Sequence, residues 1–345
     1  MTYLSKLVCV FSIFLVGNWA MGAGGKVSQK ISDQNVVMAV HAGLGIEKSE
    51  MTPAIEKQFR EDIEKALQAG YAVYAKKGGS LDMVEAAVKV MEDAPEFNAG
   101  KGAVFTHDGR NELDASIMSG KDLSAGAVAE VTTIKNPIAL ARLVMEKSPH
   151  VLLVGSGAEQ FGSEVGVEIV DPSYFRTEQR YKEWQQMLKE EEKAKTGPRK
   201  SSLPPYHTWG TVGAVALDTS GDLAAGTSTG GMTNKRYGRV GDSPIIGAGT
   251  YAENGVAAIS CTGHGEFFIR YAVAHDIISL MKYKGLSVQK AADEVLLGKL
   301  KKVGGEGGAI ALDSHGRVAM PYNSEAMTRG YITKDGKTHI FLYEK

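Results

Sequence analysis

The sequence predicts an α+β fold in which antiparallel sheets are stacked and covered by helices. Of its 345 residues, 43% are hydrophobic and 23% charged, so the chain can bury a full core in one or two domains. Strand-like and helix-like segments occur in blocks on both sides of a charged stretch. Turn residues at Ser220-Gly221 and His315-Gly316 join neighbouring strand-like segments, as in antiparallel hairpins.

The segments before the charged stretch mix strands with helices. An apolar run at residues 36–40 predicts a buried strand that enters a glycine turn. Pro53 suits the first turn of a helix that extends to residue 77, and Ser80 is predicted to cap the next helix. A further helix is predicted from Pro137. The other predicted strands of this half are 102–106, 112–118, 125–131 and 150–155.

The segments after the charged stretch contain both hairpins. Their turn residues and apolar runs predict strands that pair with their sequence neighbours, and two helices lie between the hairpins. The predicted strands are 211–218, 223–231, 256–261, 308–313, 317–321 and 338–344, and the predicted helices are 265–282 and 287–303.

The charged stretch itself covers residues 181–205 and ends in Ser and Pro. It has little to bury after Met187, so we expect a helix that fades into a mobile linker at about residues 182–205. An ordinary surface linker explains the same composition. A Gly-Thr bond that opens a strand follows directly, at Gly210-Thr211.

The N-terminal segment predicts a signal peptide. Lys6 precedes an apolar run at 7–16, and small residues follow at 20–25. The run is too short to span a bilayer, so we expect a signal of about residues 1–23, an exported protein in the periplasm or outside the cell, and no membrane span after processing. A buried N-terminal helix is the alternative interpretation.

Charge and cysteine content exclude several function classes. With 39 basic and 40 acidic residues, the chain gives no argument for nucleic acid or membrane surfaces as partners. Cys9 lies in the predicted signal, which leaves Cys261 without a partner for an internal disulfide. Cys261 is interpreted as a small buried hydrophobe in a strand. The eight histidines are scattered without the ligand spacing of a transition-metal site.

Residues 210–265 are dense in Gly and Thr, and one bond in them carries the functional hypothesis. A threonine hydroxyl is a poor nucleophile unless a base lies beside it, and an N-terminal threonine supplies its own α-amine. That amine has a pKa of about 7.7 to 8, close to working pH. Cleavage between Gly210 and Thr211 would expose such an amine, and glycine tolerates the strained peptide that this needs.

Four motifs make the hypothesis specific: GTVGAVALD, GTSTGGMTNK, GRVGDSPIIGAG and SCTGHGE. In this order they resemble the plant-type asparaginase and isoaspartyl peptidase family of N-terminal-nucleophile hydrolases, from about His41 to the C-terminus. The resemblance implies a four-layer αββα sandwich and self-cleavage into an α subunit, residues 24–210, and a β subunit, residues 211–345. The two subunits would form one structural domain, and the family commonly assembles as a dimer of αβ units.

The resemblance also implies roles for individual residues, which fall into catalytic, substrate-binding and self-cleavage groups. Arg239 would bind the α-carboxylate of the substrate through its planar fork of donors, and Asp242 would bind the α-ammonium. A surface ion pair is the alternative for these two residues. The implied catalytic residues are Thr211 as nucleophile, Thr229 as its hydrogen-bond partner, Thr262 and Gly263 as the oxyanion hole, with Gly265 lining the pocket and Gly210 and Asn98 serving self-cleavage.

Two departures from the family pattern accompany the match. The first turn is HAGLG where HGGAG is usual, and His264 stands where a small residue or threonine is common. His264 either shapes substrate preference or faces solvent. The resemblance requires no cofactor, although family members hold a structural sodium ion through backbone carbonyls near the position of Asn98.

The expected function is that of an exported amidohydrolase that hydrolyses two kinds of small-molecule substrate, L-asparagine and β-aspartyl (isoaspartyl) dipeptides. Glycosylasparaginase is the related alternative, but that branch usually has Asp before its threonine, where this chain has Gly210. A threonine protease acting on proteins and a non-catalytic amino-acid-binding protein on the same scaffold also remain. The presence of Thr211, Thr229 and Thr262 favours catalysis.

Overall fold

A computed structural model describes residues 35–44, 48–196 and 210–343 of the chain. The predicted signal peptide lies outside these residues, as do residues 197–209 of the predicted linker. Twelve strands are found among the described residues: β1 Val36–Ala42, β2 Leu113–Ser119, β3 Ala125–Val131, β4 Leu152–Val154, β5 Val212–Leu217, β6 Leu223–Thr229, β7 Thr250–Glu253, β8 Ala257–Gly263, β9 Gly307–Asp313, β10 Val318–Ala319, β11 Arg329–Thr333 and β12 Thr338–Phe341.

Eight α-helices lie in the same part of the chain, together with short 3-10 turns at Gly100–Gly102 and Pro172–Phe175 and a π-helical segment at Glu294–Leu300. The helices are α1 Pro53–Ala75, α2 Ser80–Asp93, α3 Pro137–Lys147, α4 Gly155–Val165, α5 Glu178–Thr196, α6 Gly265–Tyr271, α7 Val273–Lys284 and α8 Val288–Asp293. None of the helices described is both long and apolar enough to cross a membrane.

The strands form two sheets. The larger sheet has the order β12-β11-β1-β5-β6-β2-β3-β4, and the smaller has the order β10-β9-β8-β7. All pairs are antiparallel except β3 with β4. Both predicted hairpins are confirmed, as β5–β6 and β9–β10.

Three apolar clusters define four layers. The first lies between the large sheet and helices α1 to α4, and includes Leu67 and Ile117. The second lies between the small sheet and helices α7 and α8, and includes Ile277. The third joins the inner faces of the two sheets through residues such as Val215 and Ile310. Because each sheet is covered on both faces, strands such as β1 are apolar along almost their whole length. The αββα arrangement is therefore confirmed.

The strand predicted at 102–106 is wrong. The chain turns at Gly100–Gly102. Side chains bind the backbone N–H and carbonyl groups that would otherwise pair with a neighbouring strand. The Asn98 side chain accepts the N–H of Val104, and the Asn111 amide donates to the carbonyls of Ala103 and Val104. Local side-chain hydrogen bonds of this kind compete with sheet formation.

Two helix boundaries also differ from the prediction. Ser80 is the first residue of α2 rather than its cap, and its N–H is bound by Asp218 of the β5–β6 turn at 2.9 Å. The single helix predicted at 265–282 is interrupted at Ala272, which adopts a left-handed φ of 46°. The next N–H groups, of Ala274 and His275, donate to carbonyls of the 247–248 loop, so α7 starts in a new direction. Strands β7 and β11 were not predicted.

Helix α5 occupies much of the charged stretch. In the structure, residues 182–196 of the predicted linker are helical. Trp184 stacks on Phe105 with ring centroids 5.5 Å apart, which gives this polar helix an apolar contact. Arg180 is buried and donates from Nε to Gly102 O and from Nη2 to Glu96 O. The helix thereby fixes both sides of the loop that carries Asn98.

The packing of α3 on β3 gives a prediction for stability. A Cβ on Gly126 would lie 2.0 Å from Ala141 O and 2.6 Å from Met145 N, both backbone atoms of α3. We expect Gly126→Ala to lower the free energy of unfolding by about 1 to 3 kcal/mol, because strand and helix must separate. Urea unfolding measures this change.

The control is Gly157→Ala in α4, where an added Cβ meets nothing within 4 Å. Alanine is the better helix former, so this variant should gain about 0.5 to 1 kcal/mol. Equal behaviour of the two variants would contradict the close contact of α3 with β3.

Candidate active site

A pocket opens where β5 begins and where β6 and β8 end. Its empty volume is about 370 Å³, which includes space open to solvent. Its walls bring together residues from distant parts of the chain: Leu44, Asn98, Gly210, Thr211, Thr229, Gly231, Met232, Arg239, Gly241, Asp242, Ser243, Thr262 and Gly263. All the predicted site residues except Gly265 are among them.

Thr211 and Thr229 meet at the centre of the pocket. Thr211 immediately precedes β5 and Thr229 ends β6, and the pairing of Val212 with Ser228 places them opposite each other. The Thr211 hydroxyl donates to the Thr229 hydroxyl at 3.0 Å. Thr229 Oγ1 also accepts the N–H of Gly231 at 3.1 Å. The hairpin register therefore orients the Thr211 hydroxyl.

Asn98 holds the wall beside this pair. Its amide donates to Gly231 O at 2.7 Å, and its own carbonyl accepts the N–H of Gly230. The side chain is 1% exposed, so these hydrogen bonds are shielded from water. A continuous series of contacts thus runs from Asn98 through Gly231 and Thr229 to Thr211.

The Gly210-Thr211 bond lies against the first turn of the chain. A Cβ built on Gly43 would come within 1.8 Å of Gly210 Cα, and Gly43 has a left-handed φ of 82°. Only glycine at both positions allows this approach. The peptide bond is intact in the structure, so the nitrogen of Thr211 is an amide nitrogen here.

Arg239 and Asp242 provide opposite charges at one side of the pocket. Arg239 is partly buried and paired with Glu266, through Nε to Oε1 at 3.0 Å and Nη2 to Oε2 at 2.9 Å. Asp242 is 4% exposed, and its Oδ2 atom has no hydrogen-bond partner among the described residues. Burial raises the pKa of Asp242 to about 7, although the charge of Arg239 acts in the other direction.

Gly265 packs closely against both members of this charge pair. A Cβ on Gly265 would lie 2.8 Å from Arg239 Nη2 and 2.9 Å from Asp242 Oδ1. Gly265 therefore adjoins the pocket through these two side chains. Arg239 and Asp242 do not form a surface ion pair with each other. Arg239 pairs with Glu266, and Asp242 is buried.

Thr262 and Gly263 form the opposite wall at the end of β8. They pair with Gly308 and Gly307 of β9, and Thr262 is 1% exposed. Gly263 has a φ of 150°, and a Cβ there would lie 2.5 Å from Glu306 O. The pocket thus combines a hydroxyl pair, a cation, a buried carboxyl group and glycine backbone.

Comparisons with known proteins identify the family of the chain. The sequence profile of a family described as asparaginase matches residues 34–342. The chain belongs to this asparaginase family. It is 48% identical over 310 residues to an isoaspartyl peptidase of Escherichia coli (strain K12), which covers 88% of this chain and 96% of that protein. It is 43% identical over 305 residues to an isoaspartyl peptidase/L-asparaginase of Rattus norvegicus, with 88% of each chain covered.

Sequence reasoning missed one histidine at the site of this asparaginase family member. His41 is fully buried on β1, and its Nε2 atom is 2.9 Å from Ser260 Oγ. Burial lowers the pKa of His41 to about 3, an effect that the nearby backbone of Thr211 offsets only in part. The imidazole is therefore neutral at physiological pH. The available signal was its place in the HAGLG turn.

The Gly and Thr density has a second cause, which lies between the sheets. A buried row of hydroxyls links β8, β6, β7 and β2, from Ser260 to Thr227 at 2.7 Å, Thr227 to Thr250 at 2.6 Å, and Ser116 to Thr250 at 2.8 Å. Ser116 Oγ also lies 2.6 Å from Ser243 O, one residue from Asp242. These threonines serve inter-sheet packing as well as the pocket.

His264 and a second missed residue, Glu266, lie at the rim. The imidazole Nε2 of His264 is 3.2 Å from Glu266 Oε2, and its ring makes an edge contact with Phe267. His264 is exposed to solvent, in agreement with one of its two interpretations from the sequence. It also contacts Glu266, the ion-pair partner of Arg239. No group of three or more His, Cys, Asp or Glu side chains suited to a metal ion occurs among the residues described.

The buried Asp242 gives a prediction for pH dependence. The folded protein holds a proton on this carboxyl up to about pH 7, whereas the reference pKa is 3.8. Between about pH 4 and pH 7, the folded state therefore holds a proton on Asp242 that the unfolded state has lost. Asp242 thus lowers the free energy of unfolding as pH rises through this range. We expect Asp242→Asn to raise the free energy of unfolding at pH 8 by up to about 4 kcal/mol and to have little effect at pH 4.

Urea unfolding at both pH values measures the difference. The control is Asp108→Asn, at an exposed turn position, which should change stability by less than about 0.5 kcal/mol at either pH. A gain for Asp242→Asn that is the same at pH 4 and pH 8 would contradict the burial of a protonated carboxyl group.

Proposed function

We propose that the protein is an amidohydrolase precursor that cuts its own chain at Gly210-Thr211 and then hydrolyses β-aspartyl dipeptides and L-asparagine. The main support for this function is the hydrogen bond between Thr211 and Thr229, which lies in the same pocket as Arg239 and Asp242. The names of the relatives, isoaspartyl peptidase and isoaspartyl peptidase/L-asparaginase, support this substrate class. Glycine rather than Asp before Thr211 separates the chain from glycosylasparaginase.

Self-cleavage begins with attack of the Thr211 hydroxyl oxygen on the carbonyl carbon of Gly210. The acyl group moves from nitrogen to oxygen, which breaks the peptide C–N bond and frees the Thr211 amine. Water then hydrolyses the ester to release the carboxylate of Gly210 and restore the Thr211 hydroxyl. The contact of Gly210 with Gly43 and the bonds from Asn98 to Gly231 support this step, because they fix the reacting atoms. Thr211 gains a base only when its nitrogen becomes an amine.

Hydrolysis then follows the same chemistry on an external amide. The Thr211 amine takes the proton of its own hydroxyl, and the oxygen attacks the side-chain carbonyl of the substrate. The Thr262 hydroxyl and the Gly263 N–H stabilise the developing oxyanion. The proton passes to the leaving amine, and water hydrolyses the acyl-enzyme to give aspartate and restore Thr211.

Arg239 and Asp242 select the aspartyl part of the substrate. Arg239 binds its α-carboxylate, and Asp242 binds its α-ammonium. The raised pKa of Asp242 supports this role, since a cation beside the buried carboxyl group favours its ionised form. A substrate that carries both charges satisfies both residues together.

We further propose export, assembly of two αβ units and a structural sodium ion, all from the sequence and its resemblance. The apolar run at 7–16 supports export. The carbonyls of Pro95 and Phe97 face Gly102, where an added Cβ would lie 2.6 and 2.0 Å from their oxygens, and backbone carbonyls suit a hard cation. These carbonyls would hold the ion, and its contribution would be to fix the loop of Asn98.

Thr211→Ala is the direct test of the nucleophile. The variant should remain one chain and hydrolyse neither asparagine nor β-Asp-Leu, because it lacks the hydroxyl that hydrogen-bonds Thr229. Intact mass under denaturing conditions reports cleavage, and N-terminal sequencing of the smaller wild-type fragment should give Thr-Val-Gly-Ala. The control, Thr219→Ala at the exposed hairpin turn, should cleave and turn over normally.

Turnover by uncut Thr211→Ala would refute the assigned nucleophile. A wild-type chain that stays uncut and inactive while it still binds aspartate would instead identify a non-catalytic amino-acid-binding protein.

Arg239→Ala tests substrate selection. We expect kcat/KM for substrates with a free α-carboxylate to fall by the equivalent of about 2 to 5 kcal/mol, because a desolvated charge pair is lost. The α-carboxamide analogue of asparagine should be affected much less. Arg270→Ala, an exposed arginine on α6, is the control and should leave both substrates unchanged. Equal losses on the two substrates would refute carboxylate binding by Arg239.

A further inference from the structure

The Arg239 guanidinium has two edges, and only one of them is engaged by the protein's own carboxylate. Glu266 accepts hydrogen bonds from Nε and Nη2, in the two-point geometry that guanidinium and carboxylate favour. The second edge, between Nη1 and Nη2, has donors that this carboxylate does not use. The arginine can therefore bind a second carboxylate without releasing the first.

Arg239 itself lines the pocket, and two glycines pack against its guanidinium. A Cβ on Gly241 would lie 2.7 Å from Nη1, and a Cβ on Gly265 would lie 2.8 Å from Nη2 and 2.9 Å from Asp242 Oδ1. Gly241 and Asp242 both line the pocket. The two glycines thus let the guanidinium lie close against the main chain, next to the carboxyl group proposed to bind an ammonium.

Glu266 is itself held in place. It lies in the first turn of α6, where an acidic side chain is favourable, and its Oε2 atom also contacts His264 Nε2 at 3.2 Å. Partial burial alone would raise the pKa of Glu266, but the hydrogen bonds and charge of Arg239 outweigh it and lower the pKa below its usual value. The carboxylate is therefore ionised at neutral pH.

We propose that Glu266 is a positioning residue for substrate binding, which orients the Arg239 guanidinium so that its Nη1–Nη2 edge receives the α-carboxylate of the substrate. The inference rests on the proposed function of Arg239. Without Glu266, the long arginine side chain would sample several rotamers, and the substrate would have to restrict them on binding. Substrate affinity should weaken more than the chemical step.

Glu266→Ala and Glu266→Gln test the proposal. We expect KM for asparagine and β-Asp-Leu to rise by about 10-fold in the alanine variant, as for the loss of one charge-assisted hydrogen bond. The glutamine variant keeps one acceptor oxygen and should rise less. The kcat value should change by less than the KM value, and KM for the α-carboxamide analogue of asparagine should not change.

Two further readouts separate positioning from a structural role. Self-cleavage, followed by intact mass over time, should proceed at the wild-type rate, since it involves no free α-carboxylate. In an Arg239→Ala background, Glu266→Ala should cause no additional rise in KM, because the two residues act through one interaction. The control is Glu294→Gln, a similarly exposed glutamate paired with Lys284, which should leave all these rates unchanged.

Each contrary result has a distinct meaning. A fall in KM for Glu266→Ala would show that Glu266 competes with the substrate for Arg239, and an additive effect in the Arg239→Ala background would show an independent role. Slower self-cleavage together with an altered kcat would indicate only a structural contribution. Each of these results would overturn the positioning role. If wild-type protein hydrolyses neither substrate, the proposed function fails before Glu266 is tested.

Discussion

The pairing of β5 with β6 is the constraint on which the site depends. It sets Val212 against Ser228, so that the threonines at the open end of the hairpin come within hydrogen-bonding distance. A shift of one residue would turn every side chain of β5 to the opposite face. Both faces are buried, one under helices and the other against the second sheet, so such a shift would disrupt two cores at once. The packing of β5 in both cores therefore holds Thr211 and Thr229 in contact.

This arrangement requires an unusual interior. The surface between the sheets contains hydroxyls and an imidazole beside apolar side chains, and buried polar groups are costly unless they are hydrogen-bonded. The row from His41 Nε2 through Ser260 and Thr227 meets that requirement for these groups, whereas His41 Nδ1 has no hydrogen-bond partner among the described residues. Gly213 makes room for the row, since a Cβ there would lie 2.0 Å from Ser260 Oγ and 2.5 Å from His41 Nε2. Gly213 belongs to β5, the strand that directly follows Thr211.

Sequence patterns predicted the features that local residues determine. Turn residues marked both hairpins, and the Gly-Thr motifs marked residues that the structure gathers into one pocket. The patterns failed where distant groups decide the local structure. The break at Ala272 depends on carbonyls of the 247–248 loop, and the lost strand at 102–106 depends on the side chains of Asn98 and Asn111. Glu266 was missed for a related reason, because its partner lies 27 positions away.

In the proposed function, the charges of the pocket favour a zwitterionic ligand. Arg239 pairs with the partly exposed carboxylate of Glu266, and the buried carboxyl of Asp242 has an Oδ2 atom without a partner within the described chain. An anion alone would leave Asp242 Oδ2 without a partner, and a cation alone would not use the Arg239 donors that Glu266 leaves. A ligand with both charges would supply an ammonium to Asp242 and a second carboxylate to Arg239. Because burial raises the pKa of Asp242 to about 7 and a nearby cation favours the ionised form, binding of the ammonium would be coupled to release of a proton near neutral pH.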